Sequence, residues 1–338
     1  MKKMVFFLIL IYVCPVYLLA QTTWTVGIGD IYDFSSLQEA HDSISPNDVI
    51  LLQQGGSYGS ATLTKPLIIK GPGYYLQENE IANANQLSAS IGSIIFSEGS
   101  QGSFITGLDL SNITINVDNI VVDRCDIYNM GINGISNVIV RNCLIERNIT
   151  SNALNTQVLF QNCIFEYDSN CSNTNCYVFP QSNYWSNCEF SNNIFIDPSY
   201  SSVISQNGVI GFNYCTFKNN IFLYDYVSGA TNIVEKNVFV TTHSSIPTPS
   251  NITGADAANI FVGYPEQGTH SPDARWQLAP NSPAIGAGEG GIDCGVFGGD
   301  HPYVLSGVPA LPIIYELNVP QDASSDGLNV NLKAKTNN

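Results

Sequence analysis

The sequence predicts an all-β fold, a parallel β-helix in which short strands wind around one core. Three observations predict it. Apolar side chains alternate over short stretches, the stretches recur along the chain, and a slip of one residue interrupts the alternation at the same point of several copies. A unit of this kind cannot bury its apolar side alone, so each unit is expected to form one coil of a stacked solenoid.

The repeat unit is visible in "NVIVRNCLIERN", residues 137 to 148. Val138 and Val140 alternate as in a half-buried strand, and the alternation resumes one residue late at Cys143 and Ile145. A cysteine follows the slip in five copies, at spacings of 18, 20, 25 and 27 residues. We therefore expect one column of buried thiols, too far apart along the stack for relaxed disulfides: Cys125, Cys143, Cys163, Cys188 and Cys215.

The residue at the slip is Asn142, Asn162 or Asn187 in three copies, and Arg124 or Tyr214 in the others. One extra residue that restores the inward face must bend the strand, and asparagine enters the left-handed region more readily than other residues except glycine. The pattern predicts a corner at each slip. We expect the three asparagines to stack in one column, with amides that hydrogen-bond along it and to the local backbone.

The two ends of the chain differ from the repeats. Residues 1–20 combine a basic start, an apolar stretch and Ala20, which is typical of a secretory signal; a membrane anchor is the alternative. Next comes a predicted capping helix, with capping-box spacing at Ser36 and Glu39. We expect a β-helix domain over 21–319, closed by an irregular C-terminal cap, and a tail over 320–338. The mature protein is expected to be a monomer, secreted or extracellular, associated with the cell surface.

Charge and cysteine content limit the classes of ligand and the covalent bonds that the chain is expected to have. The chain has 12 basic and 28 acidic residues and a formal net charge of −16, which opposes binding of nucleic acid and anionic lipid. The acidity also suits an exported protein that needs only solubility. A divalent cation would reverse the field locally, but no calcium motif supports one, so no cofactor is expected. Cys171 and Cys176 lie four residues apart in an insertion and are candidates for a disulfide.

Several segments resemble a known superfamily. The capping helix, "DVILL", Gly56 with Tyr58, and "KPLIIKGPG" are similar to the N-terminal coils of secreted right-handed parallel β-helix proteins of the pectin-lyase-like superfamily. The segment "SPAIGAGEGGIDCGVFGGDHPYVLSGVPALPIIYELNVP" resembles the closing segment of exported members without assigned function. The resemblance implies the fold and its right hand. It says little about function, because one fold hosts many activities.

Catalytic residues of the active members are not recognisable here. The Asp-pair, Gly-His-Gly and Arg-x-Lys segments of the galacturonan hydrolases are missing, as is the arginine segment of the calcium-dependent lyases. Asp123 and Asp126 flank Cys125, but the alternation predicts that both point to solvent. The four mature histidines are too widely spaced to indicate a zinc site or a catalytic triad.

The candidate ligand surface lies on the long coils, whose loops carry aromatic and acidic side chains. Aromatic faces and carboxylates suit neutral sugar rings, which offer C–H faces and hydroxyl donors; the alternative is that these aromatics pack the loops onto the barrel wall. The candidate residues are Tyr167, Tyr184, Asp197, Tyr200, Tyr224 and Asp225.

The sequence therefore favours a non-catalytic module for cell-surface adhesion or glycan binding, with a polysaccharide or surface glycan as partner. A polysaccharide lyase or glycosidase with a diverged catalytic set is the first alternative, and a structural spacer is the second.

Overall fold

The computed structural model describes residues 21–79, 86–166, 178–179, 184–196, 212–224, 226–227, 231–320 and 327–336. In these ranges the chain forms a right-handed parallel β-helix, in which two long parallel sheets face each other across the core. The predicted signal lies outside the described residues, and so do Tyr167, Asp197, Tyr200, Asp225, Cys171 and Cys176. Within the described residues, no helix is long and apolar enough to span a membrane.

Sheet A contains β1 (Thr23–Val26), β2 (Val49–Leu52), β4 (Ile68–Lys70), β6 (Phe104–Thr106), β8 (Val121–Asp123), β10 (Ser136–Arg141), β13 (Asn155–Gln161), β15 (Trp185–Ser186), β16 (Glu189–Ser191), β18 (Phe212–Asn213), β19 (Thr216–Lys218) and β21 (Ile233–Glu235).

Sheet B contains β3 (Ala61–Leu63), β5 (Ser90–Phe96), β7 (Asp109–Ile115), β9 (Asp126–Ile132), β11 (Leu144–Ile145), β12 (Ile149–Thr150), β14 (Ile164–Glu166), β17 (Ile194–Ile196), β20 (Ile221–Phe222), β22 (Val238–Phe239) and β23 (Ile252–Thr253).

Identical positions of successive coils stack in register, which builds the core in layers. Val140 pairs with Val122 on one side and with Phe160 on the other. Further along, the core is aromatic: the rings of Phe190 and Phe217 stack with centroids 4.5 Å apart. Parallel strands place equivalent side chains one strand spacing apart, so aromatic rings at one position of the repeat stack face to face.

The predicted helix is α1 (Leu37–Ser43). The Ser36 hydroxyl accepts a hydrogen bond from the backbone N–H of Glu39, and the Glu39 carboxylate accepts from the backbone N–H of Ser35. Leu37 and Ala40 are fully buried against the first coils. The two capping side chains therefore provide acceptors for backbone N–H groups at the start of the helix. The apolar face of the helix covers the start of the core.

The prediction of a single cysteine column is wrong, because the five thiols occupy two columns. Cys125, Cys143 and Cys163 follow one corner, where Leu144 pairs with Asp126 and with Ile164. Cys188 and Cys215 follow another corner, in the column of Val138 and Val158. All five are buried and free. The coil that begins at Cys163 returns to the same position only 30 residues later, at Asn193.

Buried asparagines continue the column of Cys125, Cys143 and Cys163. The side-chain oxygen of Asn193 accepts from the backbone N–H of Cys163 at 2.9 Å, and that of Asn220 accepts from the backbone N–H of Asn193 at 2.9 Å. The Asn220 amide also donates to the backbone carbonyl of Phe190 at 2.8 Å. Asn237 and Asn251 repeat these contacts. This asparagine ladder satisfies polar groups inside the helix, where an unpaired one would be costly.

The slip residues adopt the left-handed backbone conformation, as predicted, but like the cysteines they are divided between two corners. Asn142 (φ 54°) and Asn162 (φ 52°) lie in one column, and Asn187 (φ 53°) lies in the other. The first corner contains Arg124, Asn142, Asn162, Asn192, Asn219 and Lys236, all with positive φ. The second contains Asn137, Gln157, Asn187 and Tyr214, also with positive φ.

The side chains of the first corner hold the C-terminal segment, residues 289–308, against the outside of sheet B. Asn162 donates to the backbone carbonyls of Val296 at 2.7 Å and Gly298 at 2.8 Å. With its amide nitrogen turned toward this segment, Asn142 donates to the carbonyl of His301 at 3.0 Å. The predicted amide ladder along Asn142, Asn162 and Asn187 is therefore wrong, since these amides of the first corner bind a distant segment.

The C-terminal segment also covers an apolar stripe on the outer face of sheet B. Ile164, Ile194 and Ile221 point outward in register and are fully buried beneath it. Short 3₁₀ turns lie in the region after the last coil: Ala257–Asn259, Ala274–Trp276, Glu289–Gly291 and Leu305–Gly307. Beyond it, β24 (Pro312–Asn318) and β25 (Asn331–Thr336) form an antiparallel hairpin, so the boundary predicted after residue 319 divides this hairpin.

Candidate functional site

Three carboxyl groups lie close together on the outer face of sheet B; we call Asp109, Asp126 and Glu146 the acidic cluster. Asp109 and Asp126 are register partners on β7 and β9, about one strand spacing apart. Glu146 comes from the next coil, where its backbone N–H donates to the carbonyl of Ile127 at 3.0 Å. The parallel register therefore brings together carboxyls that are 17 or more residues apart in the chain.

Asp126 is the buried member of the cluster, with 8% of its surface exposed. Burial raises the pKa of Asp126 well above its usual range, and the negative charges of Glu146 and Asp109 raise it further. Its Oδ1 has no hydrogen-bond partner among the described residues. Asp109 is better solvated and accepts from the hydroxyls of Ser88 at 3.2 Å and Ser90 at 3.1 Å. The cluster therefore places a carboxyl group whose pKa is raised beside two more exposed carboxyl groups.

Tyr75 closes one side of the cluster. Its hydroxyl donates to Glu146 Oε1 at 3.1 Å, and burial raises the pKa of Tyr75 so that the phenol stays protonated. The backbone of Tyr75 is left-handed, with φ 46°, which is strained for an aromatic residue. The Ser306 hydroxyl donates to the Tyr75 carbonyl at 3.0 Å. The C-terminal segment thus fixes the strained backbone that aims the phenol at Glu146.

A buried polar network supports that arrangement. The hydroxyls of Tyr74 and Tyr303 lie 2.6 Å apart. Asp273 is fully buried and accepts from the Ser306 backbone N–H at 2.7 Å and from the Asn79 amide at 2.8 Å. These contacts join residues from both ends of the chain and satisfy the buried carboxylate.

The chemistry available to the cluster is proton donation and hydrogen bonding. A carboxyl with a raised pKa beside other carboxyl groups is an arrangement that can separate acid and base roles in hydrolytic sites. The two more exposed carboxylates can accept hydrogen bonds from hydroxyl groups. Within the described parts of the chain, no group of three His, Cys, Asp or Glu residues is arranged to hold a metal ion.

Asp126 gives the stability of the protein a defined pH dependence. Its pKa is higher in the folded than in the unfolded chain, so its favourable contribution is complete below pH 3.8 and is lost as the pH rises through the folded pKa. Asp126→Asn removes the ionisation. We expect this variant to unfold at higher urea concentration than wild type at neutral pH, with a gain that vanishes in acid.

The control for this prediction is Asp300→Asn, because Asp300 is exposed. Urea unfolding of the three proteins from pH 3.5 to 8 measures the effect. A gain for Asp126→Asn that is the same at every pH, or a loss at neutral pH, would contradict the raised pKa.

The predicted ligand residues that the structure describes do not form one site. Tyr224 is half-buried, and its hydroxyl lies 2.6 Å from that of Tyr264 in the region after the last coil. Tyr184 lies immediately before β15, a strand of the other sheet. Tyr224 therefore packs the wall, as the alternative interpretation held for it.

Two aspartates expected in solvent are buried instead. Asp123 pairs with Arg141, at 3.1 Å between Nε and Oδ1, and Asp126 lies under Tyr75. Both point outward as the alternation predicts, but other segments cover the outer face. Sequence reasoning also missed Asp109, Glu146 and Tyr75. A signal existed for one of them: "DLSN" at Asp109 and "DIYN" at Asp126 share the positions of aspartate and asparagine 17 residues apart.

Comparison with known proteins does not identify a family for this chain. No family model matches the chain, and no curated protein matches it. Among solved structures, the crystal structure of pectate lyase Pel9A is similar at 15% sequence identity, over 81% of this chain and 96% of that chain, with a TM-score of 0.46. A likeness this distant carries no information about the activity of the present chain.

Proposed function

We propose that the protein is an extracellular β-helix module that binds a hydroxyl-rich, uncharged glycan at the acidic cluster. The observation that supports this most is the convergence of Asp109, Asp126 and Glu146 on one outer face, beside the phenol of Tyr75. The net charge of −16 disfavours polyanionic glycans at such a site. Neutral sugars, in contrast, supply the hydroxyl donors that carboxylates accept.

An aromatic side chain next to the cluster suits the same ligand. Tyr128 lies two residues after Asp126 on β9, so the two side chains share the outer face. It is 37% exposed, and the guanidinium of Arg147 stands 4.5 Å from the centre of its ring. A stacked cation restricts the ring, which lowers the entropy lost when a sugar packs against it.

Acid-catalysed hydrolysis is the second candidate, and the raised pKa of the buried Asp126 favours it. A carboxyl with a raised pKa can donate its proton to a glycosidic oxygen, while a neighbouring carboxylate activates water or attacks the sugar. Under this alternative Asp126 is the acid, and Asp109 or Glu146 is its partner.

The experiment is binding to a panel of neutral and acidic glycans with the mature chain, 21–338. Glu146→Gln is expected to weaken binding of a neutral glycan roughly tenfold, because hydrogen bonds to charged groups are the strong ones. Tyr128→Ala should weaken it as well. Tyr214→Ala is the matched control, since Tyr214 is 69% exposed and lies on a corner away from the cluster.

Absence of neutral-glycan binding, or an equal loss in Tyr214→Ala, would contradict the proposal. Release of new reducing ends, abolished by Asp126→Asn, would establish the hydrolytic alternative. We further propose that residues 1–20 are removed on export, that the mature protein is a monomer, and that it acts without a cofactor.

A further inference from the structure

A cavity lies on the outside of sheet A, whereas the acidic cluster lies on sheet B. None of the residues that line this cavity belongs to the acidic cluster. Thr25, Leu51 and Lys70 are register partners on β1, β2 and β4 and form a row on the outside of sheet A. The chain between Val308 and Ile314 passes over this row and leaves a cavity of about 410 Å³. This volume lies within the range of small-molecule sites, about 300 to 1,000 Å³.

The walls of the cavity are mainly apolar. Leu51 forms the floor, Pro72 lies on one side, and Val308, Leu311 and Ile314 form the cover. The cover is fixed at its start, because Arg124 Nη1 donates to the Val308 carbonyl at 2.8 Å. Arg124 belongs to the first corner, whose side chains also hold the C-terminal segment against sheet B. The same row of side chains therefore positions the chain that covers the cavity.

Lys70 is the single charged residue among those that line the cavity. Within the described parts of the chain, its ammonium has no hydrogen bond or ion pair, although 28 acidic residues are present in the sequence. Gln54 and Tyr32 also line the space. An unpaired cation on an apolar wall is complementary to a ligand with one anionic group and a hydrocarbon body.

We propose that this cavity binds an amphipathic monocarboxylate, with its carboxylate on Lys70 and its hydrocarbon chain between Leu51 and the cover formed by Val308, Leu311 and Ile314. A neutral sugar does not fit these walls, because its hydroxyls would meet apolar side chains at most points. A long-chain alcohol fits the walls but leaves the ammonium without a partner. The carboxylate therefore distinguishes this ligand from a merely apolar one.

Laurate is the probe, titrated calorimetrically into the mature chain at low ionic strength, with dodecanol as its uncharged analogue. We expect laurate to bind at least about tenfold more tightly than dodecanol, and Lys70→Met to remove most of that difference. Methionine keeps the length of the stem and removes the charge. Lys236→Met is the matched control, since Lys236 is exposed at a corner of the last coils.

A second measurement needs no variant. In methyl-labelled wild-type protein, laurate is expected to shift the resonances of Leu51, Leu311 and Ile314 before those of other residues. Laurate binding that survives in Lys70→Met, equal affinity for dodecanol, or unshifted methyls of Leu311 and Ile314 would overturn the proposal. Absence of laurate binding would do so as well.

Discussion

Asn220→Leu is expected to lower the free energy of unfolding by about 4 kcal/mol, because it removes the centre of the asparagine ladder. Asn220 accepts from the backbone N–H of Asn193 at 2.9 Å and from its amide at 3.0 Å. It donates to the Phe190 carbonyl at 2.8 Å and to Asn237 Oδ1 at 2.9 Å. Leucine has a similar shape but leaves the backbone N–H of Asn193 and the carbonyl of Phe190 without their side-chain partner, each at a cost of about 1 to 3 kcal/mol. The Asn193 amide keeps its bond to the Phe160 carbonyl, and Asn237 Oδ1 keeps its bond from the backbone N–H of residue 220.

Asn213→Leu is the matched control, since it makes the same chemical change in the same coil. Asn213 is only half-buried, and its amide makes no hydrogen bond within the described part of the chain. We expect a change within about 0.5 kcal/mol for this variant. Urea unfolding measures both. Similar losses for the two variants would show that the ladder contributes little to stability.

Cys143→Asp is expected to prevent folding at neutral pH. The Cys143 side chain is completely buried, with its thiol 3.1 Å from the Arg141 carbonyl. A carboxylate at this position would face a carbonyl oxygen and apolar neighbours, and burial of an unpaired charge costs more than the whole stability of most domains. Loss of the cooperative urea transition is the expected result.

Cys143→Ala is the control, because it creates a small cavity without a charge. We expect it to cost about 1 to 2 kcal/mol and to keep the fold. The thiols of the wild-type protein should also resist labelling until the chain unfolds. A folded Cys143→Asp protein with wild-type circular dichroism at neutral pH would contradict the inward position of this column.

Much of the fold could be predicted from local pattern. Alternation at Val138 and Val140 predicts a strand, and the slip at Asn142 predicts a left-handed corner, which the structure shows with φ 54°. These features depend on backbone geometry that a few neighbouring residues decide. The capping helix is predictable for the same reason, since Ser36 and Glu39 act within one turn.

The alignment of coils could not be predicted in the same way. Cys163 and Cys188 look equivalent because each follows an asparagine slip, yet they lie at different corners. The coil that begins at Cys163 is 30 residues long, and the sequence does not reveal that length when two corners carry the same Asn-Cys pair. In the structure, Leu159 pairs with Glu189, which places Phe160 beside Phe190 in the core. A shift of one position between these strands would turn the apolar residues out of the core.

The sequence by itself determined that this chain forms stacked coils with apolar interiors and asparagine corners, since periodicity and left-handed preference are local properties. The tertiary structure alone decided what covers the outside of those coils. Asn162 binds carbonyls 134 and 136 residues away, and Tyr75 reaches Glu146 across 71 residues. Such contacts bury Asp126 and raise its pKa, because desolvation depends on every segment that packs nearby and not on the neighbours in sequence.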